Sequence, residues 1–235
     1  MGKLWIAGLG PGNPDLLTLE TKKAMEQADA VILRTGVHPA VAGLKSMGIR
    51  YRTCDRFYEQ GESFAAVYAA IADHVMAEAA GGKAVCYCVP GHPRVAEDTV
   101  ELLLQKARVS ASAPEIRVLA AVSFLDAAFV SLGIDPLRER LCILDAAGLH
   151  SGSGADLLPL PRVSCLFAQV YDPFVAGDLK LALLEEIPPD AEISILYHVG
   201  IEGKEAIIRC PLAELDHFKQ FDHLTSVYLP FPSTE

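Results

Sequence analysis

The sequence predicts an α/β fold, with a parallel-sheet N-terminal domain over residues 1–122 and a mixed-sheet C-terminal domain over 123–235. Three observations carry this. Short apolar runs of strand length alternate with helical segments through the first half, the pattern of a parallel sheet covered on both faces. Glycine-rich turns follow directly on two of those runs. The second half changes rhythm and includes two strand-like runs joined closely enough, through Glu202-Gly203-Lys204, for a hairpin.

The first strand is Leu4 to Ala7. Thr18 offers an N-cap to a helix over Leu19 to Gln27. Ala30 to Leu33 is a second buried strand. Ser63 caps the clearest helix, in which Phe64, Val67, Tyr68, Ile71 and Val75 recur at helical spacing before Gly81-Gly82. Ala84 to Val89 is a strand, Glu97 and Asp98 open a helix, and Ile116 to Ala121 is a further strand. Beyond a boundary near Ser123, strands are expected at Leu141 to Leu144, Val163 to Val170, Ile193 to Tyr197, Ala206 to Arg209 and Thr225 to Leu229. Asp172-Pro173 starts a helix running to about Glu186, because proline suits the first helical position. Gly148 to Gly154 reads as a flexible loop.

Composition narrows the function classes. Hydrophobic residues make up 51% of 235, enough for a substantial core, and the net charge of -10 lacks the basic surface of a nucleic-acid binder. The first apolar run is too short for a signal sequence or a membrane span, so a cytoplasmic protein with neither nucleic-acid nor membrane partners is expected. The six cysteines contain no Cys-x-x-Cys pair and read as buried thiols of a reducing compartment, with no metal site.

Three turns fall at what would be one carboxyl edge of the sheet. Gly8-Leu9-Gly10-Pro11-Gly12 lets a ligand approach the backbone. It lacks the Gly-Lys-Ser/Thr ending of a phosphate loop, and Pro11 and Pro14 delay the helix that a dinucleotide fingerprint needs. A tight structural turn is the alternative. Pro90-Gly91-His92-Pro93 follows the Ala84 strand, and His92 is either a ligand contact or an ordinary loop residue. Ser123 follows Ala121-Val122 and caps the next helix, with or without a ligand.

Gly-x-Gly-Pro-Gly, then Pro-Gly-His-Pro, then Val-Ser, in that order, resembles the tetrapyrrole (corrin/porphyrin) methylase family across essentially the whole chain. Leu33-Arg34-Thr35 with His38-Pro39, Cys165 to Asp172, and Thr225-Ser226-Val227-Tyr228 resemble the methylase-like N-terminal domain of MazG-type proteins. The resemblance implies two α/β domains with S-adenosylmethionine in the cleft between them, S-adenosylhomocysteine as product, a small-molecule substrate and a homodimer. By matching motif, the cofactor contacts would be Leu9, Gly10 and Pro11; Gly91, His92 and Val95; Ser123 and Phe124; and, from weaker matches, Val170, Tyr197, Gly200 and Thr225. A MazG pyrophosphohydrolase domain would follow residue 235, with Pro230 to Glu235 as a linker stub.

The chain departs from the family at His92, where many members have aspartate, and at Ala121, where glycine is usual. A histidine accepts from the cofactor's ammonium only when neutral, and a methyl group at position 121 could narrow the cleft. Methyl transfer from a sulfonium needs alignment and exclusion of water more than a nucleophile–base pair, so no catalytic residue is assigned. Arg34, Arg50, Arg52 and the neighbouring Arg56, with Tyr58, are candidates to line an acceptor side suited to an anionic tetrapyrrole; a solvated charged surface is the alternative. Beside methyl transfer stand two other readings: a non-catalytic S-adenosylmethionine-binding or regulatory module, and a nicotinamide dinucleotide enzyme. The second strand lacks the acidic residue that the last requires.

Overall fold

The computed structural model describes residues 2–149 and 163–231. Most of the Gly148 to Gly154 segment, and the end of the Pro230 to Glu235 stub, lie outside them. The chain packs as two units that divide after Asp126.

In the first unit, β1 (Lys3–Gly8), β2 (Ala30–Leu33), β3 (Arg52–Thr53), β4 (Ala84–Val89) and β5 (Glu115–Val118) form one sheet in the order β3-β2-β4-β1-β5. All its pairings are parallel, with Lys3 to Gly8 in register with Ala84 to Val89. The even and odd residues of each strand feed different cores. Leu4, Ile6, Ile32, Val85, Tyr87 and Val89 pack under α4 (Phe64–Ala80) and α5 (Asp98–Val109). Ala7, Leu9, Val31, Leu33, Cys86 and Cys88 pack with Ala24 and Met25 of α1 (Leu19–Gln27) and Val41 and Leu44 of α2 (Val41–Ser46). Burying each large aliphatic side chain contributes roughly 1.5–3 kcal/mol, which explains why apolar runs dominate both faces.

The caps follow the sequence. Thr18 accepts from the Thr21 N–H at 3.1 Å, and Ser63 from the Ala66 N–H at 3.3 Å. Three elements were not legible: β3 has two residues, and neither α2 nor α3 (Asp55–Gln60) has a side-chain cap. Gly43 sits inside α2 because a Cβ there would stand 2.3 Å from the Cβ of Pro14 in the short 3-10 turn Pro14–Leu16. The last strand of the unit is shorter than expected. β5 ends at Val118, and Leu119 to Val122 run on outside the sheet.

α6 (Phe124–Leu132) crosses the division. The second unit contains β6 (Cys142–Asp145), α7 (Ala146–Leu149), β7 (Cys165–Ala168), α8 (Pro173–Leu183), β8 (Glu192–Tyr197), β9 (Ala206–Pro211) and β10 (Thr225–Leu229). Its sheet order is β6-β7-β10-β8-β9; only β6 and β7 pair in parallel, and β8 and β9 form the expected hairpin. Val170, Leu179, Leu183, Ile193, Ile195 and Val227 share one core there. The Asp172 side chain accepts from the N–H groups of Phe174 and Val175, and α8 stops at Leu183, short of the expected Glu186. Among the described residues all six cysteines are free thiols, and no helix is long and apolar enough to cross a membrane.

Candidate cofactor-binding site

β1 and β4 are neighbours, yet α1 follows β1 onto one face of the sheet and α5 follows β4 onto the other. Chains that diverge from adjacent strand ends leave a crevice at the carboxyl edge, where ligands of open α/β sheets bind. The first two loops are stitched together across it. Gly10 and Gly91 exchange backbone hydrogen bonds of 3.1 and 3.0 Å, and the Leu9 N–H donates to the Val89 carbonyl at 2.9 Å.

Gly8 brings in the third loop. A Cβ on Gly8 would lie 2.2 Å from the Gly91 carbonyl oxygen, 2.6 Å from the Ala121 Cβ and 3.0 Å from the Pro93 Cδ. The methyl group of Ala121 is thus accommodated by the missing side chain of Gly8. Gly10 and Gly91 have φ of +74° and +65°, a conformation that favours glycine. A Cβ on Gly91 would meet nothing within 4 Å, so the backbone there borders open space. Such a cradle, with backbone polar groups and no bulky side chain, fits a neutral or zwitterionic ligand held by main-chain contacts.

The other N-terminal candidates fall around it. Leu9 is wholly buried, backbone included, and Gly10 and Pro11 are buried beside it, so a ligand contact there requires the loop to open. Ser123 is 6% exposed, and its Oγ accepts from the Leu125 N–H at 3.2 Å while Asp126 accepts from the Ser123 N–H at 2.7 Å. This reciprocal cap fixes the third loop against α6. The Nδ1 of His92 accepts from the Arg94 N–H at 3.1 Å. A neutral His92 therefore carries its proton on Nε2 and offers a donor, not the acceptor expected from its replacement of aspartate. Val95 and Phe124 are half-buried.

In the second unit, Val170, Tyr197, Gly200 and Thr225 converge on one sheet edge, where β7 and β8 end and β10 begins. Thr225 pairs with Tyr197, and the Val170 N–H donates to the Thr225 carbonyl at 3.3 Å. The Gly200 N–H donates to Glu205 at 2.8 Å. This edge also holds Gln169 and His198, non-glycine residues with φ of +59° and +50°. Such strain tends to collect at functional edges. The His198 Nε2 lies 2.7 Å from Asp222, whose carboxylate also accepts from the Leu224 N–H. Nothing in the residue pattern flagged His198 or Asp222, which meet only through the β8–β10 pairing.

The structure does not gather the arginine candidates into one anion-binding surface. Arg52 forms two contacts with Glu78, of 3.1 and 3.0 Å, and Arg56 lies over Phe57 at 4.8 Å. Arg50 is exposed near the opposite end of β2, beside Asp29 and Ala30. Arg34 turns inward, 3.4 Å from Glu97. Glu97 was expected only to open a helix. Its side chain instead accepts from the Thr99 hydroxyl at 2.6 Å, and Thr99 in turn pairs with the Tyr87 hydroxyl at 2.9 Å. Burial raises the Glu97 pKa; Arg34 and Thr99 offset this only in part, so it stands above the ordinary carboxylate value. Burial pulls the Arg34 pKa down, and Glu97 together with the smaller contributions of Tyr58, Tyr87 and Tyr68 more than restores it. Tyr58 packs edge-on to Tyr68 with ring centroids 6.4 Å apart.

Residues 3–216 match the family model described as Tetrapyrrole (Corrin/Porphyrin) Methylases. The chain is 41% identical to YabN of Bacillus subtilis over 229 residues, which cover 97% of this chain and 45% of YabN. It therefore spans about half the length of that relative. Its fold is similar to that of the methyltransferase CobJ, with TM-score 0.74, 21% identity and coverage of 100% of this chain and 96% of that one. A uroporphyrin-III C-methyltransferase from Thermus thermophilus, complexed with S-adenosylhomocysteine, aligns with TM-score 0.67, 18% identity and coverage of 97% and 92%.

Proposed function

Because this chain belongs to the tetrapyrrole (corrin/porphyrin) methylase family, we propose that it binds S-adenosylmethionine and transfers its methyl group to a small-molecule acceptor, releasing S-adenosylhomocysteine. The observation that carries the reading is the cradle at Gly8, where three loops meet and a Cβ would collide with two of them. Leu9, Gly10 and Pro11 would hold the cofactor, with Gly91, His92, Val95, Ser123 and Phe124. In the second unit, the family resemblance makes Val170, Tyr197, Gly200 and Thr225 the candidates for cofactor contacts.

When bound, the sulfonium supplies an activated methyl group, so little acid–base chemistry is asked of the protein. What the chain supplies is position. The Gly10–Gly91 hydrogen bonds fix two loops relative to each other, and the Ser123–Asp126 cap fixes the third. A preset backbone spends little binding energy on ordering itself. The Nε2–H of His92 would donate to a cofactor oxygen such as the carboxylate.

Arg34 and Tyr58 are assigned to an anionic acceptor, with a tetrapyrrole as the first to try. Cytoplasmic residence, a homodimer and a MazG pyrophosphohydrolase domain beyond residue 235 complete the proposal. The length of YabN beyond the matched part is consistent with an additional domain. Calorimetric titration with S-adenosylmethionine and S-adenosylhomocysteine tests the reading. Micromolar binding of both is expected, and absence of both refutes it. Binding without turnover on any tetrapyrrole would favour the alternative of a regulatory module.

A further inference from the structure

Among the described residues, four that are not glycine have φ from +50° to +59°: Ala96, Arg140, Gln169 and His198. A side chain is penalised in that region, and the penalty persists where the surroundings enforce it. Three of the four adjoin a candidate cofactor contact. Ala96 follows Val95, Gln169 precedes Val170, and His198 follows Tyr197.

Two of these three are tied down by a carboxylate. The His198 Nε2 lies 2.7 Å from Oδ2 of Asp222, and an ionised carboxylate only accepts, so Nε2 donates. The other oxygen of Asp222 accepts from the Leu224 N–H at 2.9 Å and from the Thr225 hydroxyl at 3.3 Å. Asp222 thus fastens the end of β8 to the start of β10, where the His198 N–H also donates to the Leu224 carbonyl at 3.1 Å. Gln169 repeats the arrangement at the end of β7. Its Nε2 donates to Oδ2 of Asp145 at 3.0 Å, while Oδ1 of Asp145 accepts from the Ala147 N–H at 3.0 Å.

Val199 lies between the pinned His198 and Gly200. It is 4% exposed, and among the described residues neither its N–H nor its carbonyl has a hydrogen-bond partner. Buried backbone groups are almost always paired. A donor and an acceptor therefore stand ready here for a partner that the described residues do not supply.

We propose that His198 with Asp222, and Gln169 with Asp145, are positioning pairs for the cofactor, each carboxylate holding a left-handed residue at a strand end so that the main chain beside it, Val199 above all, is preset for the ligand. This deepens the S-adenosylmethionine reading and rests on it. The turn at His198 sets the course of the Val199 backbone, and the bond to Asp222 keeps that turn from relaxing into an ordinary conformation. His198 and Gln169 act through the backbone that they fix, not through the methyl group.

Glycine separates strain from position, because it adopts a left-handed φ freely but has no side chain to pin. The full chain and its variants His198→Gly, His198→Gln, Gln169→Gly and Arg140→Gly are compared by thermal melting and by calorimetric titration with S-adenosylhomocysteine. In His198→Gly the relief of strain offsets the lost bond to Asp222, so Tm should stay within about 4 °C of wild type, while affinity falls about tenfold or more. The amide of His198→Gln can still donate to Asp222, so this variant should bind within about threefold of wild type. Gln169→Gly should lose about three- to tenfold, and it carries the test if His198→Gly fails to fold. Arg140→Gly relieves the same strain at an exposed residue that adjoins no candidate contact, and should leave affinity unchanged. The role is overturned if both glycine variants at His198 and Gln169 bind like wild type, if affinity falls only in step with Tm, if His198→Gln restores nothing, or if Arg140→Gly weakens binding as much as His198→Gly. A wild type that binds neither S-adenosylmethionine nor S-adenosylhomocysteine removes the cofactor reading and this role together; a wild type that binds, with unaffected variants, removes the role alone.

Discussion

Gly8→Ala probes the meeting of the three loops more directly than any other substitution. An ordinary carbon–oxygen contact needs about 3.4 Å, and the new Cβ would stand 2.2 Å from the Gly91 carbonyl oxygen, with Ala121 and Pro93 blocking other directions. The backbone must therefore give by about 1 Å. Overpacking of this kind costs roughly 2–3 kcal/mol, which at about 2–4 °C per kcal/mol for a chain of this size lowers Tm by roughly 4–12 °C. The same displacement moves Gly91 and Ala121 out of position, so affinity for S-adenosylhomocysteine should fall on the order of tenfold to a hundredfold. Gly91→Ala is the control. Its Cβ meets nothing, and only the left-handed φ is penalised, at about 1–2 kcal/mol. Thermal melting and calorimetry on both variants decide the matter. A Gly8→Ala protein that melts and binds like the wild type would refute the convergence on which the site rests.

Other perturbations address separate parts of the molecule. Thr99→Val removes the hydroxyl between Tyr87 and Glu97 and should destabilise by about 1–3 kcal/mol in urea unfolding, because two buried groups lose a partner; an unchanged midpoint would show the chain of hydrogen bonds to be dispensable. Asp172→Ala takes away the cap of α8 and should cost about 1 kcal/mol, whereas Asp172→Asn should restore most of it. Burial raises the Asp222 pKa, but the Leu224 N–H and His198 more than offset it, so the folded value lies below the unfolded one. Its stabilisation is thus present above the ordinary aspartate value of about 3.9 and is lost as pH falls through the lowered folded value. The gap in Tm between wild type and Asp222→Asn should close over that acid window, and a gap constant with pH would exclude the carboxylate as its source.

What could be read in advance depended on how local its cause was. Caps at Thr18, Ser63 and Ser123 are contacts within three residues, and the structure has all three. The core strands announced themselves because both of their faces are buried. Ala121 was misread as strand because its apolar neighbours continue past Val118, where the pairing with β1 stops; no local signal marks that end. The arginines illustrate the opposite limit. Four cations close in sequence suggested one surface, but two of them found partners in other segments, Arg52 in Glu78 and Arg34 in Glu97, while Arg56 lies over its neighbour Phe57. Those partners lie 26 and 63 positions away in the chain, a distance over which composition carries no information. The site loops were recognisable as glycine-rich turns, while their mutual hydrogen bonds depend on strand order, which the pattern left open.

The strand order also constrains how the nascent chain acquires this site. Within its sheet β1 comes first in the sequence, yet its sheet neighbours are β4 and β5, which begin at Ala84 and Glu115. Until those emerge from the ribosome, Lys3 to Gly8 have no β-partner, and the Gly10–Gly91 bridge cannot close. Such long-range pairings form late and leave an apolar strand waiting, which makes the early chain dependent on protection from aggregation. A truncated chain ending before Ala84 should therefore behave as an unfolded polypeptide, while one extended through Asp126 has every strand of its sheet. The glycine loop is the first recognisable motif in the sequence and among the last parts of its unit to take shape.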